Sequence, residues 1–319
     1  MAYLGAVKLS PTFKDYLWGG NKLKTVFGKQ SELDILAESW ELSAHRDGQS
    51  VVTGGEYDGL EFSEYLEKIG KSALGENCMR FDYFPLLIKF IDAKGDLSVQ
   101  VHPSDEYAMR VEGEYGKSEM WYVLDCEEGA CLYYGFSRDV NREELESAIK
   151  EGTLTDILNR IPVKSGDVFY IPAGTVHAIG AGLLICEIQQ NSNTTYRVYD
   201  YNRRDKNGQL RQLHVEKALE VSDLVKAPEH KDTPDGGDVL LAECEYFSVR
   251  RMRVEGRANL TAGADSFVSL IVTDGEGRLI GDGFDLKFTK GDSIFVPARA
   301  GEMTLLGKCE IIASRVGHR

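Results

Sequence analysis

The chain has no Cys-x-x-Cys pair; its six cysteines stand apart at 78, 126, 131, 186, 244 and 309. Scattered thiols in a chain of 319 residues exclude a disulfide-framed miniature domain, and reduced, packed cysteines are expected. Positive charge is also short. There are 37 lysines and arginines against 51 acidic residues, a net of −14, which argues against nucleic acid or an anionic membrane as partner. An anionic small molecule would need a local cluster of cations set against that global field. No apolar run approaches the roughly 20 residues that span a bilayer, and the opening Met1-Ala-Tyr-Leu-Gly-Ala-Val-Lys8 lacks the apolar stretch of a signal peptide. A soluble, cytoplasmic protein is therefore expected. Histidine is scarce, six in all, with none from 231 through 317.

What the chain has in quantity is short apolar strands separated by Gly, Asn and Asp turns, the pattern of an all-β sandwich or barrel. Residues 61–74 depart from it, with Phe62, Tyr65, Leu66 and Ile69 at helical spacing. Residues 141–158 also read as a helix: Asn141 and Glu144 make an N-cap and its partner, and Leu145, Ala148 and Ile149 share one face. Residues 215–224 predict a third. The prolines, glycines and charges of 226–237 give it linker composition. The expected organisation is a domain over 1–225, that linker, and a smaller domain over 238–319.

Three pieces point to one metal site. Residues 97–101 alternate apolar and polar, as a half-buried strand does, so Gln100 and His102, two apart, fall on one face. Glu119 stands beside the strand-like run Trp121-Tyr122-Val123-Leu124. His177 follows Val168-Phe169-Tyr170-Ile171 and a Pro172-Ala173-Gly174 turn that would aim its imidazole back into the same cavity. Two imidazoles, a carboxylate and an amide oxygen suit zinc or a neighbouring divalent transition metal. His45, His214 and His230 carry no motif and are expected to be structural or solvated. Tyr133, Tyr134, Tyr199 and Tyr201 read as barrel packing, and Arg203-Arg204-Asp205-Lys206 as a solvated loop.

The spacing Gly166-x5-Pro172-x-Gly174-x2-His177 matches the second motif of the cupin superfamily. Around it the chain resembles the type I phosphomannose isomerases (mannose-6-phosphate isomerases) in their short bacterial form. The resemblance rests on Leu17-Trp18-Gly19-Gly20, Glu38-Ser39-Trp40-Glu41, Pro85-Leu86-Leu87-Ile88-Lys89, Ser98-Val99-Gln100-Val101-His102-Pro103, Lys117-Ser118-Glu119-Met120-Trp121 and Asn193-Thr194-Thr195-Tyr196-Arg197, in family order over roughly residues 15–220. Most cupins begin with His-x-His and a nearby glutamate. Here Gln100 replaces the first histidine and Glu119 follows His102 by seventeen positions, as in the isomerases. The resemblance implies a mainly β fold of two cupin-type jelly-roll barrels with a few packed helices. The second barrel is heralded by Gly291-Asp-Ser-Ile-Phe-Val-Pro297, which repeats Gly166 to Pro172 but has Arg299 where Gly174 stands and Glu302 where His177 stands.

It also implies an isomerase of a phosphorylated sugar, exchanging mannose 6-phosphate and fructose 6-phosphate through a metal-stabilised enediol, as a monomer or small homo-oligomer. Gln100, His102, Glu119 and His177 would hold one divalent ion, expected to be Zn2+, polarising the reacting oxygens. Arg197 matches the family's catalytic arginine, and an always-charged guanidinium suits an enediolate or phosphate better than proton abstraction. Lys117 and Lys89 match pocket lysines that would bind substrate; a desolvated lysine near other cations would have a depressed pKa and could act as a base, with structural salt bridging as the alternative for Lys89. Asn193 joins the substrate site, where some longer members carry aspartate, and the general base stays open. Two alternatives are another metal-dependent cupin enzyme, dioxygenase-like, and a non-catalytic sugar-binding cupin; neither needs Arg197 and Lys117 beside the metal. Elemental analysis of the purified protein should find one divalent ion per chain. Two equivalents, with the second surviving His177→Ala, would overturn the single-site reading.

Overall fold

The computed structural model describes residues 5–204 and 208–318; Asp205 and Lys206 of the expected loop thus lie outside the described residues. The chain is mainly β, built in layers around two antiparallel sheets. One has five strands in the spatial order Leu158–Pro162, Cys131–Phe136, His177–Ile179, Val99–Val101 and Tyr196–Tyr199. The other has six, in the order Val168–Ile171, Glu119–Cys126, Leu183–Gln190, Leu86–Ala93, Glu38–Leu42 and Thr12–Lys14. The sheets pack face to face as a jelly roll. Ile91, Trp121, Val123, Phe169 and Ile171 from the six-stranded sheet meet Leu132, Tyr134 and Ile179 from the five-stranded one.

Each sheet has a second covered face. Behind the five-stranded sheet, Val99, Val101, Ala178 and Val198 pack on the helices Arg142–Glu151 and Val215–Val221. The expected cap is present, with Asn141 Oδ1 accepting the Glu144 N–H at 2.9 Å. Residues 61–74 form the helix Phe62–Ile69 and, after Gly70 turns the chain at φ 79°, a short 3-10 turn over Lys71–Leu74. The helix Asp105–Val111 was not expected. Strand Leu86–Ala93 is buried along its whole length, because Leu86, Ile88 and Phe90 face away from the interior of the sandwich while Lys89 and Ile91 face into it. That outer face packs on Phe247, Val249, Phe267, Ile271, Phe295 and Ile312 of the C-terminal sheet.

The C-terminal sheet is built on the long strands Ser248–Ala262, Val268–Gly281 and Gly301–Arg315. Its far side closes over an apolar interior of Met252, Leu270, Val272, Ile294, Met303 and Leu305. The two domains interleave. Val7–Ser10 pairs with Ser293–Val296 and with Val51–Thr53, so residues from the first segment complete the second sheet. The stretch 226–237 is not a free tether: His230 stacks on Phe169 at 4.1 Å, and Arg251 Nη2 donates to Pro234 O at 3.1 Å.

The faint repeat is real at the level of single hydrogen bonds. Gly166 N–H donates to Val123 O and Gly291 N–H to Val272 O, each at 2.8 Å, from backbones at φ 91° and 90°. The Asp167 and Asp292 carboxylates each accept a backbone N–H three residues earlier, from Lys164 at 2.9 Å and Thr289 at 2.7 Å. Gly174 and its counterpart Arg299 both have positive φ, 93° and 68°. At Gly174 a Cβ would stand 2.6 Å from Asp223 Oδ2, which is why glycine is needed there.

One ion pair is buried where the domains meet. Lys29 Nζ lies 2.6 Å from Glu41 Oε1 and donates to Gly291 O at 2.6 Å, while Ser293 Oγ donates to Glu41 O at 2.9 Å. Burial pushes the Glu41 carboxyl up against the opposing charge of Lys29. Lys29→Met should therefore destabilise the full chain by about 3 kcal/mol, because it strands a buried carboxylate, and adding Glu41→Leu should restore most of the loss. Urea-unfolding midpoints check this; an unchanged midpoint in Lys29→Met would show that the pair contributes nothing.

Candidate metal centre

Two rows of cross-strand neighbours build the site. In the five-stranded sheet, Tyr134 stands opposite His177, His177 opposite Gln100, and Gln100 opposite Arg197. In the six-stranded sheet, Trp40 stands opposite Lys89, Lys89 opposite Glu187, and Glu187 opposite Trp121. Residues directly opposite share a face, so each row points one way. Glu119, two before Trp121, joins the second row. Lys117 is brought beside His102 by its backbone bond to Pro103 O at 3.0 Å. Between the rows lies a cavity of about 280 Å³, lined among others by Lys89, Gln100, Lys117, Glu187, Asn193 and Arg197.

His102, Glu119 and His177 are fully buried, and one donor atom of each lies within 4.8 Å of the others. His102 Nε2 is 3.6 Å from Glu119 Oε2, and His177 Nε2 is 3.3 Å from Glu119 Oε1. Donors around one tetrahedral zinc sit roughly 3.3 Å apart, given ligand bonds of about 2.0–2.2 Å, and the two glutamate–imidazole distances are close to that. Both Nδ1 atoms face backbone carbonyls, His102 at 2.9 Å from Thr194 O and His177 at 2.8 Å from Thr175 O. A carbonyl only accepts, so each Nδ1 carries the proton and each Nε2 keeps its lone pair. Burial, then the Lys117 charge, pushes His177 down to about 3 and holds His102 well below its usual range, so both imidazoles are neutral. Glu119 Oε1 is buried without a hydrogen-bond partner, and burial together with Glu187 pushes this carboxyl up. Neutral imidazoles and an under-satisfied carboxylate form a donor set that fits a divalent cation. Gln100 Nε2 lies 3.3 Å from His177 Nε2; half a turn of the amide would bring its oxygen there instead.

Lys117 Nζ donates to Glu119 Oε2 and lies 3.1 Å from His102 Nε2. A metal ion among the same donors would displace this ammonium toward Glu187, whose Oε1 is 3.7 Å away. Lys89 Nζ stands 3.5 Å from Glu187 and 3.8 Å from Glu38, and 4.9 Å over the Trp40 ring. Of the two readings of Lys89, the ion pairs match salt bridging and not the depressed base. Burial alone would lower Lys89, but Glu38, Glu187 and Glu119 outweigh it and hold the ammonium above its usual range.

Arg197 Nε donates to Ser98 Oγ at 3.2 Å and Nη1 to Gln212 O at 3.1 Å, which fixes the guanidinium at the cavity wall. Asn193 also lines the cavity, although its Nδ2 donates outward to Asp47 at 2.8 Å. Sequence reasoning missed Tyr16, Glu187, Arg211 and His214, all cavity-lining. His214, expected to be structural, accepts the Arg197 N–H at 3.2 Å. Arg211 Nε donates to Asp200 at 2.7 Å and brings a second guanidinium to the wall. Nothing local marks Tyr16, Arg211 or His214; Glu187, an acid in the apolar run of a buried strand, was the one legible signal.

Fold and site thus define a cupin with a candidate metal centre beside a cation-lined cavity. Residues 6–131 match the family model of the phosphomannose isomerase type I catalytic domain, and 239–316 that of the mannose-6-phosphate isomerase cupin domain. The chain is 43% identical to mannose-6-phosphate isomerase ManA of Bacillus subtilis, over 96% of this chain and 97% of that protein. It is 38% identical to the mannose-6-phosphate isomerase of Streptococcus mutans, over 93% and 94%. The crystal structure of a Bacillus subtilis mannose 6-phosphate isomerase superposes with a TM-score of 0.89 at 38% identity, covering 97% of this chain and 99% of that one. The chain belongs to the type I phosphomannose isomerases, a metal-dependent family.

His102→Ala and His177→Ala should each lose metal on dialysis together with activity, since a methyl group cannot replace an imidazole donor. Gln100→Ala should be milder, because water can stand in for a neutral amide oxygen. Metal content and turnover on the same preparations decide it; full activity in metal-free His102→Ala would refute the metal reading.

Proposed function

We propose that this chain interconverts mannose 6-phosphate and fructose 6-phosphate in the cytoplasm, with Gln100, His102, Glu119 and His177 holding one Zn2+ beside the sugar. The carrying observation is the convergence of two neutral imidazoles and a buried carboxylate in a cavity that also presents Lys89, Lys117, Arg197 and Arg211. Six unpaired cysteines are what a reducing compartment would leave. When bound, the ion supplies Lewis-acid polarisation of the reacting oxygens.

An aldose–ketose exchange moves a proton between neighbouring carbons, and negative charge develops on oxygen at the transition state. Arg197, held by Ser98 and the Gln212 carbonyl, presents a fixed charge to that oxygen without reorganising. Lys89 is held protonated by its carboxylates and acts electrostatically. Lys117 can move between Glu119 and Glu187 as the centre fills. Arg197, whose guanidinium donates to the neutral oxygens of Ser98 and Gln212, leaves a positive charge for an anionic substrate, which a dioxygenase-like or non-catalytic cupin would not need.

A coupled assay with mannose 6-phosphate, with and without chelator, tests the activity. Arg197→Ala should fold, keep its metal and lose about 10²–10³ in turnover, the usual effect of removing one preorganised donor. Arg197→Lys should recover only part, because a point charge lacks the planar fork. Near-normal turnover in Arg197→Ala would make the arginine structural.

A further inference from the structure

The two histidines are oriented in different ways. His177 Nδ1 donates to Thr175 O, two residues away in its own turn. His102 Nδ1 donates to Thr194 O, which belongs to a turn 92 residues further along the chain. The first orientation is local and follows wherever the strand goes. The second is only as firm as the turn that carries Thr194.

That turn is gathered by a single carboxylate. Glu114, its side chain 10% exposed, accepts from Thr194 Oγ1 at 3.1 Å, from the Asn193 N–H at 3.3 Å and from Ser192 Oγ at 3.5 Å, all on Oε2. Ser192 Oγ in turn accepts the Thr194 N–H at 3.2 Å. The other carboxylate oxygen is held as firmly. Arg46 Nη2 donates to Oε1, and His45 Nε2 lies 3.5 Å from it. His45 Nδ1 accepts the Asp47 N–H at 3.1 Å, so its proton is on Nε2, facing Glu114. On the opposite side of the turn, Gln189 Nε2 donates to Ser192 O at 2.6 Å.

We propose that Glu114 is a positioning residue for the metal centre: it fixes the 192–194 turn and, through the Thr194 carbonyl, the tautomer and ring plane of His102. It touches neither the donor atoms nor the substrate. The proposal rests on the reading of His102, Glu119 and His177 as metal ligands. Outer partners of ligating histidines typically govern 10–100-fold in metal affinity, and Glu114 acts one bond further out, so about tenfold is expected.

The full chain carries the test, as parent, Glu114→Ala and Glu114→Gln. The glutamine amide must turn its N–H groups toward donors on one side or the other, so it disrupts the cluster at unchanged size. Should Glu114→Ala fail to fold, Glu114→Gln decides. Zn2+ titrated against a chromophoric chelator gives the affinity, and the imidazole nitrogen resonances of the metal-free proteins report each histidine's tautomer. Expected are affinity weakened about tenfold, altered His102 nitrogens and unchanged His177 nitrogens. Affinity within twofold of the parent overturns the proposal. So does a loss accompanied by equal changes at both histidines, which would mean general loosening. A parent protein that takes up no Zn2+ refutes the metal reading itself and the proposal with it.

Discussion

The structure turns on the cluster of charges enclosed between its two sheets. Glu38, Glu119 and Glu187 face Lys89 and Lys117, and none of the five is more than 8% exposed. Charges taken out of water are tolerated only when partners compensate them. Here three carboxylates meet two ammoniums, leaving one negative charge, and two neutral imidazoles stand beside them. Glu119 Oε1 and Glu187 Oε1 are both left without a hydrogen-bond donor. An under-satisfied carboxylate beside two neutral imidazoles is a donor set that fits a divalent cation. Arg197 and Arg211 add two guanidiniums to the cavity wall, a local positive field set against the chain's net charge of −14.

Such a cluster needs rigid walls, and the layering provides them. The six-stranded sheet carries Lys89, Glu119 and Glu187 on one face and Ile88, Met120, Cys186 and Ile188 on the other. That apolar face would be exposed without the C-terminal sheet, whose Phe267, Phe295 and Ile312 cover it. The N-terminal strand Val7–Ser10, paired into the C-terminal sheet, and the buried Lys29–Glu41 pair lock the cover in place. The C-terminal sheet thus backs the strands that carry the site and contributes no residue to those lining the cavity.

Much of this was legible in the sequence where the signal is local. His102, Glu119 and His177 sit at fixed spacings from turns and strands that short-range rules define, and the structure brings their donor atoms together. Helices at Phe62–Ile69 and Arg142–Glu151 followed from spacing and a cap, although the second, expected to run to 158, is stopped by Gly152 at φ 74° and gives way to a strand at Leu158. What escaped depends on strand pairing. Lys89 is held above its usual range by Glu38 and Glu187, 51 and 98 residues away in sequence, so its apolar surroundings alone could not decide between a depressed base and a salt-bridged ammonium. Arg211 and His214 reach the cavity from a loop with no periodicity, and the pairing of Val7–Ser10 with Ser293–Val296 leaves no mark in either segment.

The repeat separates scaffold from chemistry. Both barrels keep the Gly-Asp turn, the same backbone bonds and the same positive-φ position after the proline, because these set the curl of the strands irrespective of what the interior holds. Past that point they part. In the first barrel the next strand begins with His177, fully buried and facing Gln100; in the second, Glu302 is exposed opposite Thr261 and the interior is filled by Met303, Leu305 and Leu270. An apolar interior needs no counter-ion, whereas the first copy retains buried carboxylates that Lys89 and Lys117 compensate and that leave Glu119 Oε1 without a donor. The two copies thus share a scaffold and differ in what their interiors hold, and the C-terminal sheet supports the first copy by covering the outer face of its six-stranded sheet.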